Sequence, residues 1–224
     1  MALDTVVVGN AHRPPVITEA LGGVSYRFIE TPDEMLPPGF APARESRAVY
    51  IKNQLGAFRC YRGHQLALQA CQSDHVLVLE DDAWPNRSAW MFIVERAREL
   101  LETFQVVSLH GRGIRGIDRR IECGGQTYVT LKPLVRRRLL YRAELRWVQG
   151  SLAYLITAAA ARRIAEAPYR GIPVDHLLAN AFSFAVILRS PFDHDRRHGS
   201  LVEEPRQGKK TEDRRQKTEG MESR

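Results

Sequence analysis

Three consecutive acidic residues follow the most apolar short run of the sequence. The run His75-Val-Leu-Val-Leu79 is typical of a buried strand, and Glu80-Asp81-Asp82 comes directly after it. Ligands of open α/β sheets bind at the carboxyl ends of strands, so this position suits a binding or catalytic site. Adjacent carboxylates repel one another unless a cation or hydrogen-bond donors compensate, and oxygen ligands of this kind suit Mg²⁺ or Mn²⁺.

The three carboxylates are expected to lie on two sides of the extended chain. Side chains two residues apart lie on the same side of an extended chain, so Glu80 and Asp82 are expected to share one metal ion while Asp81 faces away. The alternative is a solvated acidic turn that caps the following helix. The chemistry of the residues favours a divalent-cation site.

Further blocks before and after the acidic run form an ordered set. The first block reads Gln54-Leu-Gly-Ala-Phe-Arg-Cys60-Tyr-Arg-Gly63-His64, and the later ones read Ala153-Tyr154-Leu-Ile-Thr157 and Pro173-Val174-Asp175. Together they resemble glycosyltransferase family 25, which includes lipooligosaccharide and collagen galactosyltransferases. The family's pattern is similar to Gly-Cys-x-x-Ser-His on a helix, followed by a strand that ends in Glu-Asp-Asp. Cys60 and His64 match this pattern, but Arg59 replaces the glycine and Gly63 replaces the serine.

The resemblance implies a GT-A fold that binds a nucleotide sugar, with UDP-galactose as the first choice by family analogy. A Mn²⁺ or Mg²⁺ ion that bridges the two phosphates would stabilise the charge on the departing nucleoside diphosphate. Because the family resembles the inverting enzymes, it also implies a base for the acceptor hydroxyl, and we expect Asp175 in that role. The alternative for Asp175 is the N-cap of a helix over Val174 to Ala181.

The resemblance also implies contacts to the donor and a further metal ligand. His64 is expected to orient the donor, although a helical histidine is also typical of a protein core or surface. His194 is expected to add a metal contact, as residues late in GT-A chains often do. The family usually has an Asn-Leu-x-Arg-Arg-like turn after the first strand, where this chain has Gly9-Asn10-Ala11-His12-Arg13. The predicted metal ligands are Glu80, Asp82 and His194, and the predicted donor-binding residues are Asn10, Arg13, His64, Glu80 and Asp81.

Hydrophobic periodicity predicts strands that alternate with helices. This alternation indicates a single α/β domain with a GT-A-like open, mainly parallel sheet flanked by helices. The stretch from Gly111 to Arg146 is glycine-rich and basic, and we expect a loop region there with one hairpin at Gly124-Gly125. The predicted strands are Thr5 to Val8, Val24 to Ile29, His75 to Leu79, Val106 to Leu109, Leu152 to Ile156 and Ala185 to Leu188. The predicted helices are Pro15 to Leu21, Leu55 to Cys71, one capped by Asn86 or Ser88 that ends near Glu102, Ala158 to Ala167 capped by Thr157, and Pro173 to Ala181.

The positive charge of the chain is concentrated in one segment. Arg112 to Arg146 holds ten basic and three acidic residues, and this excess equals the formal net charge of +7. Such a segment favours an anionic partner, and the alternative is a solvated basic face. We expect an anionic glycan acceptor near residues 112–146 and a possible peripheral membrane contact, and we do not expect nucleic acid as the partner. Two rival functions stay open: a Mg²⁺-dependent nuclease or phosphotransferase, which usually has a second acidic cluster, and a degenerate transferase that binds a nucleotide sugar without turnover.

The chain is expected to divide into a domain over residues 1–202 and a tail over residues 203–224. Thirteen of the 22 tail residues are charged and none is aromatic, so the tail is predicted to be disordered. The sequence has no run of 18 apolar residues and no export signal at its first residues. Its three cysteines have no CxxC spacing, which predicts reduced thiols in a cytoplasmic protein rather than a disulfide framework or a cysteine zinc site.

Overall fold

The computed structural model of the protein describes residues 3–10, 18, 21–41, 53–86, 88–131 and 147–194. Within these ranges strands and helices alternate along most of the chain. The strands are β1 (Leu3–Gly9), β2 (Arg27–Glu30), β3 (His75–Glu80), β4 (Ala83–Pro85), β5 (Val106–Ser108), β6 (Arg112–Arg115), β7 (Ile117–Cys123), β8 (Gln126–Leu131), β9 (Trp147–Gln149), β10 (Ala153–Thr157), β11 (Phe184–Ile187) and β12 (Phe192–His194). The helices are α1 (Gln54–Gln69), α2 (Trp90–Glu99) with a 3₁₀ turn over Leu100–Glu102, α3 (Ala158–Glu166) and α4 (Val174–Ala181).

Eight of these strands form one open sheet in the order β2-β1-β3-β10-β5-β11-β8-β7. The pairs β1–β2, β1–β3 and β5–β11 are parallel, and the other four neighbouring pairs are antiparallel. Six strands therefore run in one direction, and only β10 and β8 run in the other. This arrangement confirms the predicted α/β class and its mainly parallel open sheet.

The strands divide their side chains between two hydrophobic layers. On β1, Val6 and Val8 face the layer covered by α1, α3 and α4, whereas Val7 faces the layer covered by α2. Neighbouring side chains of a strand point to opposite faces, so a continuous apolar run fits a sheet that is covered on both sides. Full burial of one such valine or leucine stabilises the fold by about 1.5–3 kcal/mol. The apolar runs of the sequence thus determine which strands lie at the centre.

Side-chain caps fix the start of two helices next to the sheet. The Asn53 side chain accepts a hydrogen bond from the backbone N–H of Gly56 at 2.8 Å, at the start of α1. The predicted cap of α3 is confirmed, since Thr157 Oγ1 accepts from the N–H of Ala160 at 3.4 Å. Each such cap typically contributes about 1 kcal/mol.

The predicted cap of α2 was wrong. This helix begins at Trp90 after Ala89, and no side chain caps it. The reason lies in the preceding residues, because β4 pairs with β12 and the Asn86 side chain donates to Asp193 Oδ2 at 2.8 Å. The Asn86 side chain therefore stabilises the two-stranded β4–β12 sheet, and α2 starts four residues later.

Several strand ends meet at one edge of the sheet. The carboxyl ends of β1, β2, β3 and β5 lie there, and the antiparallel strand β10 begins there. The predicted hairpin is confirmed between β7 and β8, where Gly124 and Gly125 have φ of 54° and 71°. The prediction of a loop region over Gly111 to Arg146 was wrong for its described part, because β6, β7 and β8 lie there and both β7 and β8 pair in the main sheet. Most of the predicted helix over Pro15 to Leu21, residues 132–146 of the basic stretch and the tail over residues 203–224 lie outside the described residues. Among the described helices, none has the length and apolar character needed to cross a lipid bilayer.

Candidate functional site

A cleft of about 1020 Å³ opens at this edge of the sheet. Its walls come from the ends of β1, β2 and β3, from the first half of α1, from the start of α4 and from the residues just before β10. A cavity of this size lies at the upper end of the range for small-molecule sites. The residues with polar side chains that line it include Asn10, Glu30, Thr31, Asp33, Asn53, Arg59, Cys60, His64, Glu80, Asp81, Asp82, Ser151, Asp175 and His194.

The end of β3 is fixed against the end of β1. The backbone N–H of Asp81 donates to Val8 O at 2.9 Å, and the N–H of Asn10 donates to Asp81 Oδ2 at 2.9 Å. Gly9 permits this approach, because a Cβ atom at position 9 would lie 2.3 Å from Asp81 Cβ. Only 7% of Asp81 is exposed. Its carboxylate therefore ties the two strand ends together, on a different set of partners from its two acidic neighbours.

Glu80 belongs to a partly buried hydrogen-bonded network. The Ser151 hydroxyl donates to Glu80 Oε1, and His64 Nε2 lies 3.3 Å from the same oxygen. The other ring nitrogen of His64, Nδ1, is 2.8 Å from the hydroxyl of the fully buried Tyr154. Burial favours the neutral acid, but the hydrogen bonds and charge of His64 and the bond from Ser151 outweigh it, so the pKa of Glu80 is lowered. Glu80 is consequently an ionised carboxylate.

Asp82 pairs with a histidine that lies 112 residues later in the chain. His194 Nδ1 is 3.1 Å from Asp82 Oδ2, and the antiparallel pairing of β4 with β12 brings the two together. The hydrogen bond with Asp82 raises the pKa of His194, against the effect of burial and together with the charges of Asp82 and Glu80. The three predicted metal ligands thus lie in two networks, with Glu80 bound to His64 and Ser151 and with Asp82 bound to His194.

The Asp82–His194 pair has the features of a cation site. Asp82 Oδ1 is buried and has no hydrogen-bond partner among the described residues. An unpaired buried carboxylate oxygen is costly, and a metal ion or an ordered donor at this point would remove the cost. Carboxylate oxygens with one imidazole fit Mn²⁺ or Mg²⁺, provided that the ion displaces any proton on His194. The residues present therefore fit the predicted divalent ion.

Asp175 also lines the cleft, in the first turn of α4. Its Oδ2 accepts from the backbone N–H of Gly150 at 2.9 Å, and its Oδ1 accepts from the N–H of His176 at 2.8 Å. The alternative prediction that Asp175 is the N-cap was wrong, because the helix starts one residue earlier with Pro173 at the cap position. The link to Gly150 instead orients the carboxylate toward the cleft.

The cysteine in the cleft is not an activated nucleophile. Burial raises the pKa of the Cys60 thiol well above its usual value, and the carboxylates of Glu80, Asp175 and Asp82 raise it further, against a hydrogen bond with Ser151. A nucleophilic cysteine needs the opposite environment, since the thiolate is the reactive form. Covalent catalysis through Cys60 is accordingly disfavoured.

His110 packs against the cleft residue His194, and the sequence predictions missed it. It follows β5, is 2% exposed, and its ring packs edge-on against His194 at 5.1 Å between centroids. Its Nδ1 lies 3.2 Å from Phe192 O, whereas Nε2 is buried without a hydrogen-bond partner among the described residues. Burial lowers the pKa of His110, which keeps the ring neutral. The rule that ligands bind at the carboxyl ends of strands would have found it, had it been applied to β5 as well as β3.

The two departures from the family's helix pattern have clear structural roles. Arg59 Nη2 lies 2.5 Å from Asp33 Oδ1 and Arg59 Nε donates to Glu34 O at 3.1 Å, so this arginine fastens the segment after β2 to α1. At Gly63, a Cβ atom would lie 2.8 Å from Val8 Cγ1 and 2.9 Å from Thr31 Oγ1. A serine at position 63 would therefore force the side chains of Val8 and Thr31 to shift.

The structure therefore brings most of the predicted site residues into one cleft, although their roles in binding and catalysis stay predictions. Arg13 lies outside the described residues. The predicted residues that line the cleft are Asn10, His64, Glu80, Asp81, Asp82, Asp175 and His194. Ser151, Cys60 and Gly150 line it as well and were not predicted as site residues.

Comparisons with known proteins give no family for this chain. No protein-family model matches it, and no curated protein matches it. Among solved structures, A197 from STIV is similar with a TM-score of 0.41 and 10% sequence identity, over 85% of this chain and 82% of that one. HddC from Yersinia pseudotuberculosis is similar with a TM-score of 0.38 and 11% identity, over 85% of this chain and 71% of that one. The chemistry of the cleft consequently has to be judged from its own geometry.

Proposed function

We propose that this protein is a metal-dependent glycosyltransferase. It would transfer a sugar, with galactose from UDP-galactose as the first candidate, to a hydroxyl group of a glycan such as a lipooligosaccharide. The observation that supports this most directly is the buried, unpartnered Asp82 Oδ1 beside His194, in a cleft large enough for a nucleotide sugar. Ionised Glu80 lies in the same cleft, which adds a second carboxylate for the metal.

The proposed division of labour follows from the elements that line the cleft. Asp82, His194 and Glu80 would hold Mn²⁺ or Mg²⁺, and the ion would neutralise the charge that develops on the departing diphosphate. The turn at Asn10, together with His64, would contact the donor. Asn10, Glu80 and Asp82 lie at the carboxyl ends of the parallel strands β1 and β3, and His64 lies on α1 beside them.

Asp175, in the first turn of α4, would act as the base that accepts the proton of the acceptor hydroxyl. Its carboxylate is held by the N–H groups of Gly150 and His176, at 2.9 and 2.8 Å. Such bonds fix the orientation of the carboxylate and leave its remaining lone pairs free for a substrate proton. An inverting reaction needs such a base on the side of the reacting carbon opposite the leaving group.

The acceptor is proposed to be an anionic glycan that binds near the basic stretch over residues 112–146. Arg112 is close enough to the cleft to lower the pKa of His194, so part of this stretch borders the proposed metal site. A glycan carried by a lipid would also bring the protein to a membrane surface, where the other basic residues would contact anionic headgroups. We place this reaction in the cytoplasm.

A thermal-shift panel tests the proposal directly. UDP-, GDP- and CMP-sugars would be compared with and without Mn²⁺, with Asp82→Ala as the control variant. A ligand at 100 times its Kd stabilises the fold by about 2.7 kcal/mol, which corresponds to a rise in Tm of roughly 5–10 °C for a domain of this size. We expect such a rise for one nucleotide sugar, only with Mn²⁺, and not in the variant.

Hydrolysis assays separate the proposed function from its rivals. Slow Mn²⁺-dependent cleavage of the UDP-sugar supports a transferase. Donor binding without any cleavage or transfer would identify a degenerate, non-catalytic protein. Cleavage of nucleic acid instead of the sugar donor would favour the nuclease or phosphotransferase.

A further inference from the structure

Three metal-binding side chains of different chemistry meet in the cleft. The sulfur of Cys60, a ring nitrogen of His64 and a carboxylate oxygen of Glu80 all lie within 4.8 Å of one another. Cys60 and His64 are one turn apart on α1 and so share a face of the helix, and Glu80 reaches them from the end of β3. The spacing of the cysteines in the sequence does not reveal this cluster, because its third member comes from a strand.

The histidine and the carboxylate of the cluster are held by further partners. His64 Nδ1 lies 2.8 Å from the hydroxyl of Tyr154, which leaves Nε2 facing Glu80 Oε1 at 3.3 Å. The hydroxyl of Ser151 fixes Glu80 Oε1 from another side. Histidines that bind metals almost always use their second ring nitrogen in this way, because the second bond fixes the tautomer and the ring orientation. The site is thus oriented before any ion arrives.

The ligand set selects for zinc. One thiolate, one imidazole and one carboxylate are typical ligands of Zn²⁺, whereas Mg²⁺ and Mn²⁺ prefer oxygen. From the usual bond lengths, ligand atoms of a tetrahedral zinc site lie roughly 3.5 Å apart. Side-chain rotations that move the ligand atoms by about an ångström would bring their present separations to that value. The cleft leaves a fourth position open to water or to a ligand.

We propose that Cys60, His64 and Glu80 form a zinc site, and that zinc bound there inhibits the protein. On binding, the Zn²⁺ ion displaces the proton of the Cys60 thiol, which passes to solvent, and it takes the place of the proton on His64 Nε2, so that the neutral zinc-bound ring carries its proton on Nδ1 and donates it to the Tyr154 hydroxyl. No electron is transferred. Because Glu80 is also a proposed ligand of the donor's Mn²⁺, zinc would withdraw it from that ion. The inhibitory part rests on the proposed function, whereas the zinc site itself does not.

Cobalt substitution tests the site without any nucleotide. Co²⁺ bound to a thiolate gives a charge-transfer absorption band that Co²⁺ bound to nitrogen and oxygen lacks. We expect this band in the wild-type protein and in Cys71→Ser, and its loss in Cys60→Ser. Cys71 is the matched control, since it is also a partly buried free cysteine on the same side of the sheet. Absence of the band in the wild type, or its survival in Cys60→Ser, would overturn the proposal.

Alkylation of the wild-type protein provides a test that needs no variant. Mass spectrometry would follow the modification of Cys60, Cys71 and Cys123 with and without Zn²⁺. Zinc should slow the modification of Cys60 by about tenfold or more and leave the other two unchanged, since a bound thiolate is not available to react. Equal rates at Cys60 with and without zinc would contradict the site even if Cys60→Ser failed to fold.

A zinc titration of Mn²⁺-dependent UDP-sugar binding tests the inhibition. Cys60→Ser should weaken inhibition by more than about 100-fold, because loss of an outer-shell partner alone costs about 10–100-fold in metal affinity. Tyr154→Phe should weaken the inhibition by about 10–100-fold, since Tyr154 only holds His64. A cobalt band without any donor binding would refute the transferase and leave the zinc site intact. Donor binding that saturating zinc does not disturb would refute the inhibition.

Discussion

Charged pairs occupy both the floor and the rim of the cleft, in very different surroundings. On the floor, formed by His64, Glu80, Ser151 and Asp82, the side chain of Glu80 is 23% exposed and that of its partner His64 is fully buried. At the rim, formed by Asp33, Glu34 and Arg59, 88% of the Asp33 side chain is exposed. Glu80 and His64 on the floor are each held by two partners and are shielded from solvent, so their geometry is fixed, whereas the exposed pair at the rim is screened by solvent. The floor is consequently suited to chemistry and the rim to adaptable contacts.

The largest expected effect comes from a change on the floor. Asp82→Ala should weaken Mn²⁺-dependent binding of the nucleotide sugar by more than about 100-fold, because it removes a direct metal ligand. Isothermal titration calorimetry would measure the affinity. Asp193→Ala is the matched control, since Asp193 lies next to His194 but bonds to the Asn86 side chain. Unchanged donor affinity in Asp82→Ala would remove this residue from the metal site.

The second prediction concerns Asp175, in the first turn of α4. Asp175→Asn should lower the rate of transfer by about 100-fold or more and leave donor binding intact, because asparagine cannot take up the proton. The variant has one acceptor oxygen for two N–H groups, so it should also lose about 1 kcal/mol of unfolding free energy. Steady-state kinetics and thermal unfolding measure the two effects. Near-normal transfer would show that Asp175 only orients α4, and the base would have to be sought elsewhere.

The third prediction tests how tightly α1 packs at Gly63 against Val8 and Thr31. Gly63→Ser should cost roughly 1–3 kcal/mol of unfolding free energy, because the new Cβ would meet Val8 and Thr31 at under 3 Å. Chemical denaturation would measure the loss. Thr31→Ala removes one of the two clashing atoms, so the double variant should be more stable than the sum of the single changes predicts. Strict additivity would show that the helix moves away instead.

The smallest effect is expected at the rim. Asp33→Asn should change the unfolding free energy by less than about 1 kcal/mol, and the change should shrink further at high salt, since the pair with Arg59 is exposed. Denaturant unfolding at low and high ionic strength would measure it. A loss as large as that of Gly63→Ser would mean that the rim is as firmly held as the floor.

Local signals predicted the elements that position the floor. The apolar run of β3, the helical period of α1 and the cap at Thr157 each depend on a few neighbouring residues, and the structure confirms all three. The cluster of predicted site residues in one cleft follows from the same rule about strand ends. These features were predictable because they arise from periodicity and side-chain type.

The missed features depend on contacts between distant residues. The strands β4 and β12 have three residues each and pair across about 110 positions, so neither has a periodic signal of its own. Their pairing also explains why Asn86 does not cap α2. Likewise, no local pattern shows that β10 runs antiparallel between β3 and β5. Because of this direction, Gly150 and Ser151, which precede β10, lie at the cleft.

The pairing of β4 with β12 also determines when the Asp82–His194 pair can form during synthesis. His194 reaches Asp82 only after 112 further residues have been made. At translation speeds of about 5–20 residues per second, this interval lasts roughly 6–22 seconds. For more than half of that time β1 and β3 can pair, but β10, which separates β3 from β5, has not yet been made. A nascent chain would therefore present the carboxylates of the site to the cell well before it could use them.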